Sequence, residues 1–280
     1  MSIEDQLKKS QQLFQARQFS ESETCLKDIL AEHPDNHDAQ LGYALVLLML
    51  SRPDESWEYL KQAQSSNPEN PKVYQAIAML MRMTGAIEQG ITYLQLQMTT
   101  SPMLINPQVH VTLAELYAAQ GSSEAIQTLL EFLKHLPLTA HRQQYWLYRE
   151  IKDAKGLEAL GQRTEDHGFR NLCNGQAAAI RGDSELAHQY HQWAIEANPQ
   201  LWEALLALAA SPKTRVSQSQ QYLMKAKQLA PQTAEVHISM AEWLNRSHQE
   251  TEAQALAKRL SESPAVFQSI RQRAETILGQ

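Results

Sequence analysis

Two histidines three positions apart, His188 and His191, are the first residues whose spacing could do chemistry, since an i,i+3 pair on a helix can share a metal ion. A second group, His33 and His37 with Asp35 and Asp38, falls in a polar stretch. Neither has a third and fourth ligand at metal-binding spacing, so packing and solvation account for both, and no metal or other cofactor is expected. The only cysteines, Cys25 and Cys173, are too few and too far apart for a disulfide framework. They read as small apolar fillers rather than nucleophiles and point to a reducing, cytoplasmic setting. The phosphate-cradling GxxxxGK[ST] and GxGxxG loops, the GxSxG nucleophile elbow and the HExxH zinc motif do not occur in the sequence. No catalytic residue is therefore assigned, and the expectation is a protein that is not an enzyme.

Composition narrows the classes further. The chain has 280 residues, with 25 Lys+Arg against 31 Asp+Glu, a formal net charge of −6. That balance argues against electrostatic binding of nucleic acid. With 43% hydrophobic and 20% charged residues, the chain is apolar enough to fold. Ten glycines are few for an α/β protein of this length. The longest apolar run, Tyr43–Leu50, is far short of the roughly 20 residues a membrane span needs, and the N-terminus lacks a signal-peptide core. Membrane insertion is not expected.

The elements that position these residues emerge from the prolines. Pro34, Pro68, Pro102, Pro137, Pro199, Pro231 and Pro264 each follow a helix-like stretch, at successive spacings of 34, 34, 35, 62, 32 and 33 residues. The spacing of 62 is close to two units whose shared proline is missing. A period near 34 residues is the mark of a repeat array. Within a unit, large residues and a small one recur at helical spacing, as in Tyr74, Ile77, Ala78 and Met81. A glycine turn follows (Gly85, Gly121, Gly182), and then a second helix with small inner residues, closed by the proline. Asp183 or Ser184, and Ser20 with Glu23 three positions on, fit helix N-caps.

On these residues the chain resembles the tetratricopeptide repeat family, whose unit is two helices in 34 residues. The pattern is carried best by Tyr43, Ala44, Leu47, Ser56, Leu60, Ala63 and Pro68, and by Gly175, Ala178, Gly182, Ala187, Ala194 and Pro199. The resemblance implies an all-α, right-handed α-solenoid of about eight helix hairpins ending in a capping helix, with an irregular fifth unit. It divides the chain into a four-unit array (1–139), a degenerate unit where the stack bends (140–169), a three-unit array (170–264) and the cap (265–280). The Gln200–Pro231 unit is shortened at its turn.

The resemblance also implies that the first helix of each unit lines a concave groove through its fifth, ninth, twelfth and thirteenth positions. In the second unit these are Leu41, Leu45, Leu48 and Met49, and in the third Gln75, Met79, Arg82 and Met83. The fourth gives Val111, Glu115, Ala118 and Ala119, the sixth Leu172, Gln176, Ala179 and Ile180, and the eighth Ile238, Glu242, Asn245 and Arg246. An apolar, Met-rich groove with one cation suits adaptable binding of a peptide or partner protein. The competing reading is that neighbouring units, or the chain's own terminus, bury these residues. The clamp with which related modules hold chaperone C-termini is not matched: of Leu7, Gln11, Gly42, Lys72 and Ala76, only Lys72 fits.

Tyr145, Trp146 and Tyr148 stand outside the repeat pattern and form a secondary candidate surface, with packing as the alternative. Trp57, Trp193 and Trp243 recur at phased positions, which predicts packing within or between units. The functional expectation is a non-enzymatic scaffold or adaptor. The alternative is a docking or regulatory subunit of a separate enzyme, such as a glycosyl- or sulfotransferase, or of a secretion or assembly machine. Homodimerisation through edge repeats is a third arrangement.

Overall fold

The computed structural model describes residues 2–100, 106–135 and 140–279, and over these the chain is helical with no strand. Seventeen helices follow one another as hairpins. The first three pairs are α1 (Ile3–Gln15) with α2 (Phe19–Glu32), α3 (His37–Met49) with α4 (Pro53–Ser66), and α5 (Pro71–Met83) with α6 (Ile87–Thr100). Next come α7 (Pro107–Gln120) with α8 (Ser123–Leu133) and α9 (His141–Glu150) with α10 (Ala154–Gln162). The last three pairs are α11 (His167–Ile180) with α12 (Ser184–Ala197), α13 (Trp202–Ala210) with α14 (Val216–Leu229), and α15 (Ala234–Arg246) with α16 (Glu250–Ser261). A single helix, α17 (Gln268–Leu278), follows. The chain divides into two compact units, Met1–Leu116 and Tyr117–Gln280.

The prolines act as the period suggests. Each of Pro34, Pro68, Pro199 and Pro231 stands two residues beyond a helix end. The residue before each proline is pushed out of the helical region, with φ near −134° at His33, −148° at Asn67, −144° at Asn198 and −139° at Ala230. Three of the prolines also anchor the next helix. Gln40 donates to the Pro34 carbonyl at 2.7 Å and Tyr74 donates its hydroxyl to that of Pro68 at 2.7 Å. His237 Nε2 lies 3.0 Å from the carbonyl of Pro231. Each tether spans six residues and fixes the angle at which one hairpin hands over to the next, for about 1 kcal/mol apiece. Pro102 and Pro137 lie outside the described residues.

Inside the hairpins a small hydroxyl recurs where the helices cross. Ser22 donates to the Ser10 carbonyl at 2.9 Å and Ser56 to that of Ala44 at 2.8 Å, and Ser219 makes the same bond to Ala209. A larger side chain there would hold the helices apart. Gly85, Gly121 and Gly182 occupy the left-handed turn with φ of 77°, 88° and 84°, whereas Arg17, Ser51, Lys152 and His248 fill it elsewhere at φ of 55–62°. Asp183 caps α12 by accepting the Leu186 N–H at 3.0 Å. Ser20 does not cap, because the Arg17 turn brings the chain into helix already at Phe19, leaving Ser20 within the first turn of α2.

Candidate partner-binding surfaces

In the first compact unit, Leu41, Leu48 and Val111 are fully enclosed. Leu41 and Leu48 join Leu60, Val73, Ile77 and Leu80 in one core cluster, so their helices α3 and α5 are held together by them and they offer no surface. Leu45, Met49 and Met79 are half-buried against that cluster, and Met83 is 40% exposed. Gln75 is likewise half-buried. Of the ten groove candidates, seven therefore keep accessible side chain: Leu45, Met49, Gln75, Met79, Arg82, Met83 and Glu115.

Two of those seven carry opposite charge. Burial raises the Glu115 carboxyl above the usual carboxylate range, and the Arg82 charge pulls it back. They form no ion pair within 4 Å, and the buried Nε of Arg82 has no hydrogen-bond partner. The result is an apolar, methionine-lined surface holding one guanidinium whose donor is unused and one poorly solvated carboxylate. Such a pair can receive a backbone amide or an opposite charge from another chain.

In the second unit the aromatic candidates separate. Tyr145 and Tyr148 are buried, and burial pushes both phenols up, Tyr148 to about 12. They serve packing. The Cε1–Cδ1 edge of Tyr148 presses on Gly156 of α10, whose missing Cβ leaves room for the ring. Trp146 instead stays half-buried, stacked on Trp202 at 5.5 Å with Arg149 over its ring at 4.8 Å. Trp57 packs edge-on against Tyr93. Trp193 departs from expectation: it is 41% exposed and meets only the edge of Tyr190 in an aromatic contact, because it sits on the outward side of α12.

Trp146 and Arg149 border a cavity of about 310 Å³. Its wall includes Gln176 and Ala179, two of the groove positions read for the sixth unit. The rest comes from His188 and His191 of α12, Glu203 and Leu206 of α13, Glu235 and Ser239 of α15, and Arg273 of α17. Small residues (Ala179, Gly182, Ala187, Ala207 and Ala210) make room for it. Burial raises the Glu203 carboxyl, against the pull of Arg142 at 3.2 Å. Burial would also raise Glu235, but Arg149 at 2.6 Å and Arg273 outweigh it and hold Glu235 down at about 2. Arg273 continues to Glu242 at 2.7 and 2.8 Å.

The histidine pair resolves in the same place. His191 is buried, its Nε2 without a partner and its ring pressed on Gly175, while His188 Nδ1 lies 2.9 Å from the Ser211 hydroxyl. Among the described residues no three His, Cys, Asp or Glu side chains stand together as a metal site would require. Cys25 and Cys173 are free thiols, and burial pushes Cys173 well above the usual thiol range. No helix among the described residues is long and apolar enough to cross a membrane.

Sequence reasoning passed over Arg149, Glu203, Glu235 and Arg273. Arg149 is the ninth residue of α9 and so a groove position, passed over because the degenerate fifth unit was not read for them. Glu203 and Glu235 are the second residues of α13 and α15, outside the four positions, and Arg273 lies on a helix read as a polar-faced cap. The only available signal was their placement as charged residues on otherwise apolar helical stripes, such as Glu203 in WEALLALAA.

An all-α array of helix hairpins, with small residues at the crossings and prolines between pairs, defines the class of repeat solenoids. Residues 7–71 match the tetratricopeptide repeat family, and the helix hairpins of the described residues resemble that family's unit. The chain's fold is that of yeast Tom70, with a TM-score of 0.56 at 14% identity over 94% of this chain and 59% of that one. It also follows the APC/C hetero-tetramer Cut9–Hcn1, with a TM-score of 0.50 at 16% identity over 98% of this chain and 56% of that chain. In sequence it is 25% identical to the human protein IFIT1 homolog B across 53% of this chain. The chain spans about a third of that relative's length, 34%.

Proposed function

We propose that the protein is a non-enzymatic scaffold that holds a peptide or partner protein on the inner face of its first unit. The reading rests on one observation. Arg82 and Glu115 face a methionine-lined surface, each desolvated in part and neither bonded to the other. Unbonded buried charge is costly, and a partner that supplies hydrogen bonds recovers that cost on binding. Met49, Met79 and Met83 repack around different side chains, so the surface accommodates an apolar segment flanked by polar groups.

The test is capture of binders from a displayed peptide library on the full chain and on an Arg82→Glu, Met83→Asp variant. Both positions keep surface, so the variant is expected to retain its helical circular dichroism while losing the binders that the unaltered chain selects. An identical set of binders on both proteins would place the site elsewhere.

A further inference from the structure

Two buried carboxylates stand on the wall of the cavity in the second unit, and their surroundings differ. Glu235 has two arginines, Arg149 and Arg273, whose charges outweigh burial and keep it ionised. Glu203, the second residue of α13, has one ion-pair partner among the described residues, Arg142 at 3.2 Å. Arg142 is 45% exposed, so water screens its charge, and burial prevails and raises the Glu203 carboxyl. This end of the wall is short of a positive group.

The α9 side of the same wall is short of an acceptor. Arg149 gives one N–H, from Nη2, to Glu235 and bonds to no other described residue, although a guanidinium carries five N–H groups. One turn earlier on the same face of α9, Tyr145 packs its ring edge-on against Trp146 and Phe169. Its hydroxyl bonds to no described residue, yet the charges of Arg149, Glu203 and Glu235 all act on it, which places the phenol among them. The arginines and carboxylates of the wall balance, Arg149 and Arg273 against Glu203 and Glu235, so a ligand of either net charge gains nothing from it. Much of the remaining lining is apolar, with Leu206 beside Ala179, Ala187 and Ala207.

We infer that this cavity binds a small zwitterion, a free amino acid with an aliphatic side chain. The ammonium pairs with Glu203, and the carboxylate takes the spare N–H groups of Arg149 and the Tyr145 hydroxyl. The side chain lies on Leu206 and the alanines. Bonds from Arg273 to Glu235 and Glu242 hold that part of the wall in shape before the ligand arrives. A volume of about 310 Å³ is at the small end of ligand pockets, which suits a molecule of this size. The site lies in the second unit and uses neither Arg82 nor Met83, so it and the scaffold reading fail separately.

The probes are the standard L-amino acids, titrated one at a time onto the full chain by isothermal calorimetry. An aliphatic one is expected to bind at a single site with a Kd below about 1 mM. Its N-acetyl derivative lacks the ammonium and its methyl ester lacks the carboxylate, and each is expected to bind at least ~10-fold more weakly. Glu203→Gln and Tyr145→Phe nearly preserve side-chain size and are expected to weaken the free amino acid by ~10-fold and ~5-fold. Ala179→Trp, at an exposed position of the lining, fills the cavity and is expected to abolish binding. No saturable binding of any aliphatic amino acid up to about 10 mM would overturn the inference. So would equal affinity for the N-acetyl derivative, since the C-terminal carboxylate of a peptide would then suffice. Unchanged affinity in folded Glu203→Gln or Ala179→Trp would contradict the placement. Should the variants lose helical circular dichroism, the two blocked derivatives on the unaltered chain decide.

Discussion

Single residues in this fold are constrained by two different things, space and backbone angle, and the glycines separate them. A Cβ on Gly156 would lie 2.2 Å from the ring of Tyr148, which is itself buried and cannot retreat. Gly182 has nothing within 4 Å but holds φ at 84°. Gly156→Ala is therefore expected to destabilise by roughly 3 kcal/mol through overpacking, and Gly182→Ala by about 1 kcal/mol through backbone strain alone. Urea denaturation of the two variants checks the order, and a larger loss at Gly182 would refute it.

His191 adds a pH dependence. Burial, with the charges of His188 and Arg149 behind it, lowers its pKa from 6.5 to about 4, so the folded chain keeps the ring neutral. Below pH 6.5 the unfolded chain takes up a proton that the folded chain refuses. Stability thus falls as the pH drops from 6.5 towards 4 and is fully present above that window. At pH 5 the loss from this residue is about 2 kcal/mol. His191→Leu is expected to narrow the difference in melting temperature between pH 7 and pH 5 by several degrees. An unchanged difference would mean the ring titrates normally.

At the scale of elements, much of the array could be read from the chain. The proline period gave the hairpins because proline and the residue before it both resist helix, a local effect needing no tertiary context. The turn glycines were legible for the same reason, but the seventh unit departs from expectation: its helix α13 is the short part, and residues 211–215 make a turn longer than those of the neighbouring units. What escaped was tertiary. Whether Leu45 or Leu48 faces out depends on a rotation of one residue about α3, which a stripe of consecutive apolar residues does not specify. Trp193 lies six residues before Pro199 where Trp57 lies eleven before Pro68, so it falls on another side of its helix and stands exposed. The network joining α9, α15 and α17 depends on residues up to 124 positions apart. That network is expected to carry weight. Glu235→Gln leaves Arg149 and Arg273 facing a neutral amide, both partly buried, and should destabilise by about 3 kcal/mol. The loss should appear first as faster hydrogen exchange in α17, and exchange unchanged there would show that the apolar edge alone holds the helix.

For the molecule as a whole, each compact unit offers a different inner surface. Unit Met1–Leu116 presents methionines with one unsatisfied charge couple, and unit Tyr117–Gln280 encloses a cavity walled by paired charges. An apolar surface with unsatisfied polar groups binds by recovering desolvation, whereas a neutralised ionic network mainly fixes shape. The proposed function therefore gives the first unit the primary partner. The most direct measurement is the affinity of a selected peptide for the full chain and for its Arg82→Glu, Met83→Asp variant, with circular dichroism confirming that both are folded. The account predicts that the variant weakens binding by ~30-fold or more, the effect of losing about 2 kcal/mol at the centre of an interface. Equal affinity for the two folded proteins would contradict it.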